Sequence, residues 1–284
     1  LLGQYAEQQL AASAEIAQQT HDQHCDFFAE FLHTHEEHFQ RDARALHMVL
    51  AELDNIGAGW RWAVEQVRMS ALFTALKPLA RLYAAAGLYQ EAATIFAHAV
   101  TALRPHLVDS RLSTPLLQPL LAQLLLEEAD FRIKLAQLCQ AQNLIEEVQQ
   151  LIPHLADATL EASTQQRLGD VAWAQGNYAL HRTTYEKVLL LARSGGMERI
   201  EAHALSNLGM NYDLDGAYQQ EAACYQAALS IALRNRTGLQ LWTVGLDAAA
   251  QPRLVARNVR YEAHAGAQGL SFEVVEGGQS LTLH

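Results

Sequence analysis

The histidines and the cysteine near the N-terminus are the side chains best able to bind a metal ion. His24 and Cys25 stand three and four residues after His21, and His38 stands three after His35, so on a helix His21 with either neighbour, or His35 with His38, would share one face. A structural zinc site usually takes four ligands from converging segments, however, and one straight helix cannot surround an ion. We therefore expect polar and packing histidines, with a metal-binding helical module as an outside alternative.

The other reactive side chains lack the partners that catalysis needs. Cys139 and Cys224 fall at helix-packing positions, where a free cysteine behaves as a small apolar residue. Glu127 and Glu128 are adjacent, so on a helix their carboxylates point in different directions. The sequence contains neither a Gly-x-Ser-x-Gly elbow nor a GxxxxGK[ST] phosphate loop. We expect no enzymatic activity, no cofactor and no metal.

The composition indicates a helical protein that does not bind nucleic acid. Half of the 284 residues are hydrophobic, mostly Ala and Leu, and 20 Lys and Arg against 31 Asp and Glu give a net charge of -11. Phosphate-backbone contact needs clustered cations, so we expect no direct nucleic-acid binding. The three cysteines are far apart, and no apolar run approaches the ~18 residues of a membrane span. Without a visible leader, we expect a cytoplasmic piece of a longer multidomain chain.

Repeated helix pairs are the elements that would position any site. Three stretches place a small residue, a turn glycine seven residues later and a tyrosine two residues after that, around Gly87, Gly176 and Gly216. Their sequences are LARLYAAAGLYQEAATIFAHAV, LGDVAWAQGNYALHRTTYEKVL and LGMNYDLDGAYQQEAACYQAAL. This pattern is typical of tetratricopeptide units. It predicts an all-α, tetratricopeptide-like superhelix, with an N-terminal helical segment over 1–68, repeats over 69–265 and a tail over 266–284.

The remaining stretches fit the pattern less closely. A weaker copy has its turn at Asn143, since Asn tolerates left-handed backbone, and a faint copy over 244–265 has Pro252 at the turn. The long interval after Gly87 predicts a loop near 105–115 and then a long helix to about 141. In the tail, apolar and polar residues alternate around Gly277-Gly278, which predicts a β-hairpin with strand only after Leu270.

Two stretches before the repeats resemble a known family. The motif residues are His24, Phe27 and Phe28, then Glu52, Asp54 and Asn55, then Trp60 and Trp62. In this order they resemble the region after the winged helix in STAND-type signalling ATPases, including bacterial transcriptional activators of the LuxR and AfsR kind. Gly57 departs from the family, which commonly has Arg there. The resemblance implies a nucleotide-switched ATPase upstream and a sensor in this chain.

The first helices of the repeats would line a concave groove. Counting from the small residue of each copy predicts a row of Lys77, Arg81, Lys134, Gln137, Arg167, Asp170, Trp173, Asn207, Met210 and Asp213, continued by Trp242. The cations concentrate in the first three copies, so an anionic effector or an acidic protein segment is the expected ligand. Ordinary solvated helix surface is an equally open interpretation. A free-standing tetratricopeptide adaptor is the alternative to a STAND sensor.

Overall fold

The computed structural model describes residues 14–107, 116–235, 255–264, 267–276 and 279–283. The chain divides into two compact units, unit 1 over residues 1–160 and unit 2 over residues 161–284. The helices within the described ranges are α1 Ala14–Arg41, α2 Ala43–Leu50, α3 Leu53–Glu65, α4 Met69–Ala85, α5 Tyr89–Leu103, α6 Leu117–Lys134, α7 Leu138–Leu155, α8 Ala158–Ala174, α9 Tyr178–Ser194, α10 Glu198–Leu214 and α11 Tyr218–Asn235.

Unit 1 is held together by one apolar core. The long helix α1 packs along α3 and α4, α5 packs on α6, and α6 packs on α7. Leucines and alanines fill most of the space, around a stack in which the Phe96 and Phe131 rings lie 5.8 Å apart and the Trp60 ring meets Phe96 edge-on. The alternation of large and small apolar residues along these helices therefore buries a continuous interior.

A recurring turn sets the length of the repeat. Residues with left-handed backbone occur every 20 positions from Ala136 through Ala156, Gly176 and Gly196 to Gly216, and Val67 and Gly87 show the same spacing. Each helix plus its turn therefore takes 20 residues. A pair takes 40, rather than a shorter tetratricopeptide period.

The hydrogen bonds of this turn are the same in both units. The amide that follows the left-handed residue donates to the carbonyl five residues back, as in Leu88 to Tyr83, Asn177 to Ala172 and Ala217 to Tyr212. This 6→1 bond is the mark of a Schellman C-cap, which satisfies the last carbonyls of one helix before the next begins. Paired antiparallel helices result, and the predicted all-α, tetratricopeptide-like fold is confirmed.

The predicted turn of the weak copy is wrong. Asn143 lies inside α7, and the left-handed residue is Ala136. The predicted long helix to 141 is therefore two helices, because the Gln137 amide donates to the Arg132 carbonyl and ends α6. The predicted loop near 105–115 begins with a short 3-10 helix over Arg104–Leu107. Residues 108–115 lie outside the described residues.

The tail contains a three-stranded antiparallel sheet. Its strands are β1 Val255–His264, β2 Ala267–Glu276 and β3 Gln279–Leu283, in the order β1-β2-β3. Pairing of Glu276 with Gln279 confirms the predicted hairpin. The prediction of strand only after Leu270 was wrong, because alternating apolar residues in VARNVRYEAH suit a strand better than the second helix of a faint repeat. Pro252 and Trp242 lie outside the described residues.

In the part of the chain that the structure describes, no helix combines the length and apolarity needed to cross a membrane.

Candidate functional site

One helix position differs in character between the two units. Five residues past the left-handed turn residue, unit 1 has Ala92 and Ala141, both 0% exposed. At the same position unit 2 has His181, 1% exposed, and Glu221, 6% exposed. Alanine lets neighbouring helices approach closely, whereas buried ionisable side chains need hydrogen-bonding partners. Unit 2 should therefore contain a polar network around these residues.

The network is centred on His181 and Asn211. The Asn211 Nδ2 atom lies 2.5 Å from His181 Nδ1 and 3.2 Å from the Asn207 carbonyl oxygen. A carbonyl only accepts, so the atom facing it must be the amide nitrogen, and that nitrogen also faces the imidazole. His181 Nδ1 therefore accepts a hydrogen bond, and the ring is neutral. Burial lowers the pKa of His181 and favours the same neutral form.

Aromatic rings surround His181 on two sides. Its ring centroid lies 4.7 Å from that of Tyr185 on α9 and 4.9 Å from that of Trp173 on α8. The Tyr185 hydroxyl donates to Asp170 at 2.6 Å. Gly169 makes this arrangement possible, because a Cβ there would lie 2.6 Å from the Tyr185 ring. The close approach of α8 and α9 thus positions both the imidazole and the carboxylate.

Further polar contacts join α8 to α10. Gln166 Nε2 lies 2.9 Å from His203 Nδ1, and the Asn207 amide donates to the His203 carbonyl at 3.0 Å. We call the network the polar seam and define it as Gln166, Asp170, His181, Tyr185, His203, Asn207 and Asn211. Its half-buried members, together with Trp173 and Met210, form the surface that we call the α8–α10 face, namely Gln166, Asp170, Trp173, His203, Asn207 and Met210. This face can donate and accept hydrogen bonds and can also make apolar contact.

Several residues predicted for the groove lie on or beside this face. Asp170, Trp173, Asn207 and Met210 belong to it, while Arg167 and Asp213 are on the same two helices. Four residues that organise the face were not among those predicted: Gln166, His181, His203 and Asn211. A usable signal was present, since His181 and Glu221 stand where Ala92 stands in the first copy.

The four predicted residues in unit 1 do not form an equivalent site. Lys77 and Arg81 line an open groove between α1 and α4, together with Glu30, His33 and Glu36. Lys134 ends α6, and Gln137 lies in the following turn, where its side-chain oxygen accepts from Arg132 at 2.8 Å. The seven-residue error in the turn assignment displaced these last two from the predicted face.

The predicted positive field is wrong, because carboxylates neutralise most of its cations. Arg81 is ion-paired with Glu36 of α1, and Lys134 with Asp130. Arg167 lies 3.2 Å from Asp170. Two of these partners stand three or four residues from the cation on the same helix, where opposite charges pair readily. An anionic ligand is therefore no longer favoured.

The motif residues of the family resemblance make structural contacts, one of them to α1. Trp62 Nε1 donates to Asp22 at 2.8 Å, and Trp60 enters the core. Asn55 donates to Glu52 at 2.7 Å. At the start of α4, Arg68 adds ion pairs to the α1 carboxylates, 2.8 Å from Asp22 and 2.7 Å from Asp26.

The N-terminal histidines make aromatic and main-chain contacts. The His21 ring lies 4.5 Å from that of Trp62 and the His24 ring 4.7 Å from that of Phe28, both in tilted contacts. His35 Nδ1 donates to the Phe31 carbonyl at 2.8 Å. Among the described residues, no three His, Cys, Asp or Glu side chains converge as ligands for a metal ion would.

Comparison with known proteins finds similar solved structures, two of which are described below. No family model matches the chain, and no curated protein matches it. BtubC (BKLC) from P. vanneervenii is 16% identical with a TM-score of 0.46, over 80% of this chain and 96% of that one. A STAND protein with a tetratricopeptide repeat sensor, PH0952 from Pyrococcus horikoshii, is 16% identical with a TM-score of 0.42, over 69% of this chain. The match spans 34% of the STAND protein's own length.

Proposed function

We propose that this chain is a non-catalytic helical-repeat binding module and that the α8–α10 face binds an extended protein segment. The supporting observation is the pair of half-buried carboxamides, Gln166 and Asn207, which contact His203 and are backed by the buried Asn211–His181 pair. Side chains fixed in this way lose little conformational entropy on binding, so more of their interaction energy appears as affinity.

The chemistry of the α8–α10 face suits a peptide main chain. A carboxamide both donates and accepts, as a peptide group does, and Trp173 and Met210 supply aromatic and flexible apolar surface. Because Arg167 pairs with Asp170, neither positive nor negative charge dominates this face. We therefore propose a segment recognised through its backbone and one or two apolar side chains, rather than through acidic residues.

We further propose that the module is the sensor of a STAND-type signalling ATPase or transcriptional regulator in the cytoplasm. The support is the ordered set of motif residues over α1 and α3, from His24 to Trp62. The coding sequence upstream of Leu1 separates this proposal from a free-standing adaptor. A P-loop ATPase and a winged helix encoded there support the sensor, and an initiation codon directly before Leu1 contradicts it.

Selection from a displayed random-peptide library tests the binding proposal. Enriched peptides should bind the wild-type chain and lose about tenfold or more in affinity on the Trp173→Ala, Asn207→Ala double variant. Each lost hydrogen bond or aromatic contact contributes about 1 kcal/mol, and ~1.4 kcal/mol is tenfold. Gln219→Ala, an exposed substitution on α11, is the matched control and should bind as wild type. Peptides that bind all three chains equally, or no enrichment at all, would contradict the proposal.

A further inference from the structure

His181 has a protonation state that its hydrogen bond dictates. The Asn211 amide cannot reverse its nitrogen and oxygen without placing its oxygen against the Asn207 carbonyl oxygen, 3.2 Å away. The amide nitrogen therefore stays towards His181 Nδ1 at 2.5 Å, and only an unprotonated Nδ1 can accept from it. Protonation would set an N–H of the ring against an N–H of the amide at that distance.

The charged and titratable groups around His181 do not compensate for such a proton. From α8 the nearest carboxylate is Asp170, which already accepts from Tyr185 at 2.6 Å and pairs with Arg167. From α10 the side chains are the uncharged Asn207 and Asn211. A hydrogen bond to an amide oxygen would raise the pKa of His181, but the Asn211 nitrogen, held by the Asn207 carbonyl, is the atom that faces the ring. On its own helix, Tyr185 presents an aromatic ring. The negative charge of Asp170 therefore favours protonated His181, but it offsets the effect of burial only in part.

We propose that His181 is an internal proton sensor that joins α9 to α10 when neutral and releases them when protonated. The step is the addition of one solvent proton to Nδ1, with no covalent bond changed in the chain. The Asn211–His181 contact is then repulsive. Asn207 and Asn211 lie at the same joint, so the α8–α10 face loses its fixed carboxamides together with it. The sensor stands on this geometry and does not depend on the identity of a ligand.

The direction of the pH dependence follows from the burial of the ring. Because burial lowers the pKa of His181 below its ordinary value of 6.5, the unfolded chain takes up the proton first as pH falls. The stability that His181 contributes is therefore complete above about pH 6.5 and is lost as pH falls towards the lower, folded-state pKa. Equivalent positions in unit 1 hold Ala92 and Ala141, which cannot titrate.

Hydrogen exchange read separately for each helix tests the sensor. Between pH 7 and pH 5, after correction for intrinsic exchange, protection of α9 and α10 should fall more steeply than that of α5 and α6. The excess should approach tenfold per pH unit, the limit for one proton. In His181→Ala, which introduces the residue that unit 1 has at this position, the excess slope should vanish. A variant that retains the wild-type slope would overturn the proposal.

An NMR titration of the wild-type chain tests the same proposal without relying on the folding of a variant. In a nitrogen-15 NMR titration, the His181 ring should be neutral with Nδ1 unprotonated at pH 7. Its midpoint should lie below 6.5, and the Asn211 side-chain amide signals should shift with it. A midpoint at or above 6.5, or Asn211 signals that do not respond, would show that the two side chains are not coupled as we propose.

Discussion

Unit 1 and unit 2 share a turn but not an interior. Both contain helix-ending turns with a left-handed residue and the same 6→1 hydrogen bond, such as those at Gly87 and Gly176. Unit 1 then packs leucine, alanine and aromatic rings into one core, whereas unit 2 has small apolar clusters, such as that of Tyr185, Val188, Ala204 and Leu208, beside the polar seam. The turn and the close approach of helices therefore specify the fold, and the polarity of the interior can vary without changing it.

The polar interior should make unit 2 the more sensitive of the two. Apolar burial stabilises roughly in proportion to area and needs no particular geometry, whereas buried polar groups stabilise only while every partner is in place. A change of protonation or of one side chain can therefore disturb several contacts of the seam together. We therefore expect unit 1 to be the more stable unit and unit 2 to respond more readily to a ligand or a proton.

The largest difference in stability between variants of the two units should come from their buried aromatic residues. Phe96→Ala removes a fully buried ring from the unit 1 core and should lower the free energy of unfolding by about 3–5 kcal/mol. Tyr185→Phe in unit 2 keeps the ring and removes only the bond to Asp170, so about 1 kcal/mol is expected. Urea denaturation followed by circular dichroism measures both. Equal losses would show that hydrogen bonding matters more in unit 2 than we infer.

Two glycines in unit 2 allow a finer comparison. An added Cβ at Gly169 would lie 2.6 Å from the Tyr185 ring, and at Gly209 it would lie 2.7 Å from the Tyr225 ring. Tyr185 is fully buried and bonded to Asp170, whereas Tyr225 is half-buried and can move aside. Gly169→Ala should thus lower the free energy of unfolding by about 1–2 kcal/mol.

Gly209→Ala is the matched control for that substitution. Movement of Tyr225 should relieve most of the contact, and alanine's higher helix propensity, about 1 kcal/mol, offsets the rest. Thermal unfolding of the two variants under one condition decides between them. If Gly209→Ala lowered the melting temperature more than Gly169→Ala, the inference that Tyr225 moves aside more easily than Tyr185 would be wrong.

Glu221 should show a pH dependence opposite to that of His181. Burial, and then the nearby Asp213 charge, raise the pKa of Glu221, so the folded chain binds this proton more tightly than the unfolded chain. The stability due to Glu221 is complete below its ordinary pKa of 4.5 and is lost as pH rises through the raised value. Glu221→Gln should therefore raise the melting temperature at pH 7 and have less effect at pH 4. A stabilisation that did not change with pH would point to packing instead.

Much of the fold could be predicted from the sequence, and the site only in part. The turn glycines Gly87, Gly176 and Gly216 gave the correct helix boundaries because glycine is favoured where backbone is left-handed. The Ala136 turn was missed because alanine carries no such signal, and that error displaced Lys134 and Gln137. Trp173 and Asn207 could be placed by counting along helices. The partnership of His181 with Asn211, 30 residues apart, depends on packing that no local pattern encodes.

The turns themselves provide the smallest and cleanest test. Ala136 adopts φ 57°, where a Cβ costs about 1–2 kcal/mol, while glycine pays about 0.5–1 kcal/mol more backbone entropy on folding. Ala136→Gly should therefore raise the free energy of unfolding by about 0.5–1 kcal/mol. Gly176→Ala should lower it by the same amount, since an added Cβ at Gly176 meets nothing within 4 Å and the effect is purely one of backbone.

Val67→Gly serves as the contrasting variant, because Val67 has left-handed backbone at φ 51° but also packs on the unit 1 core. Its backbone gain should be cancelled by the lost apolar contact, so its stability should stay near wild type. Chemical denaturation of the three variants should thus give a gain, a loss and little change. If Ala136→Gly raised the free energy of unfolding but Gly176→Ala did not lower it, the two turns would not be equally strained, although their hydrogen bonds are the same. The shared turn would then not be what makes the two units alike.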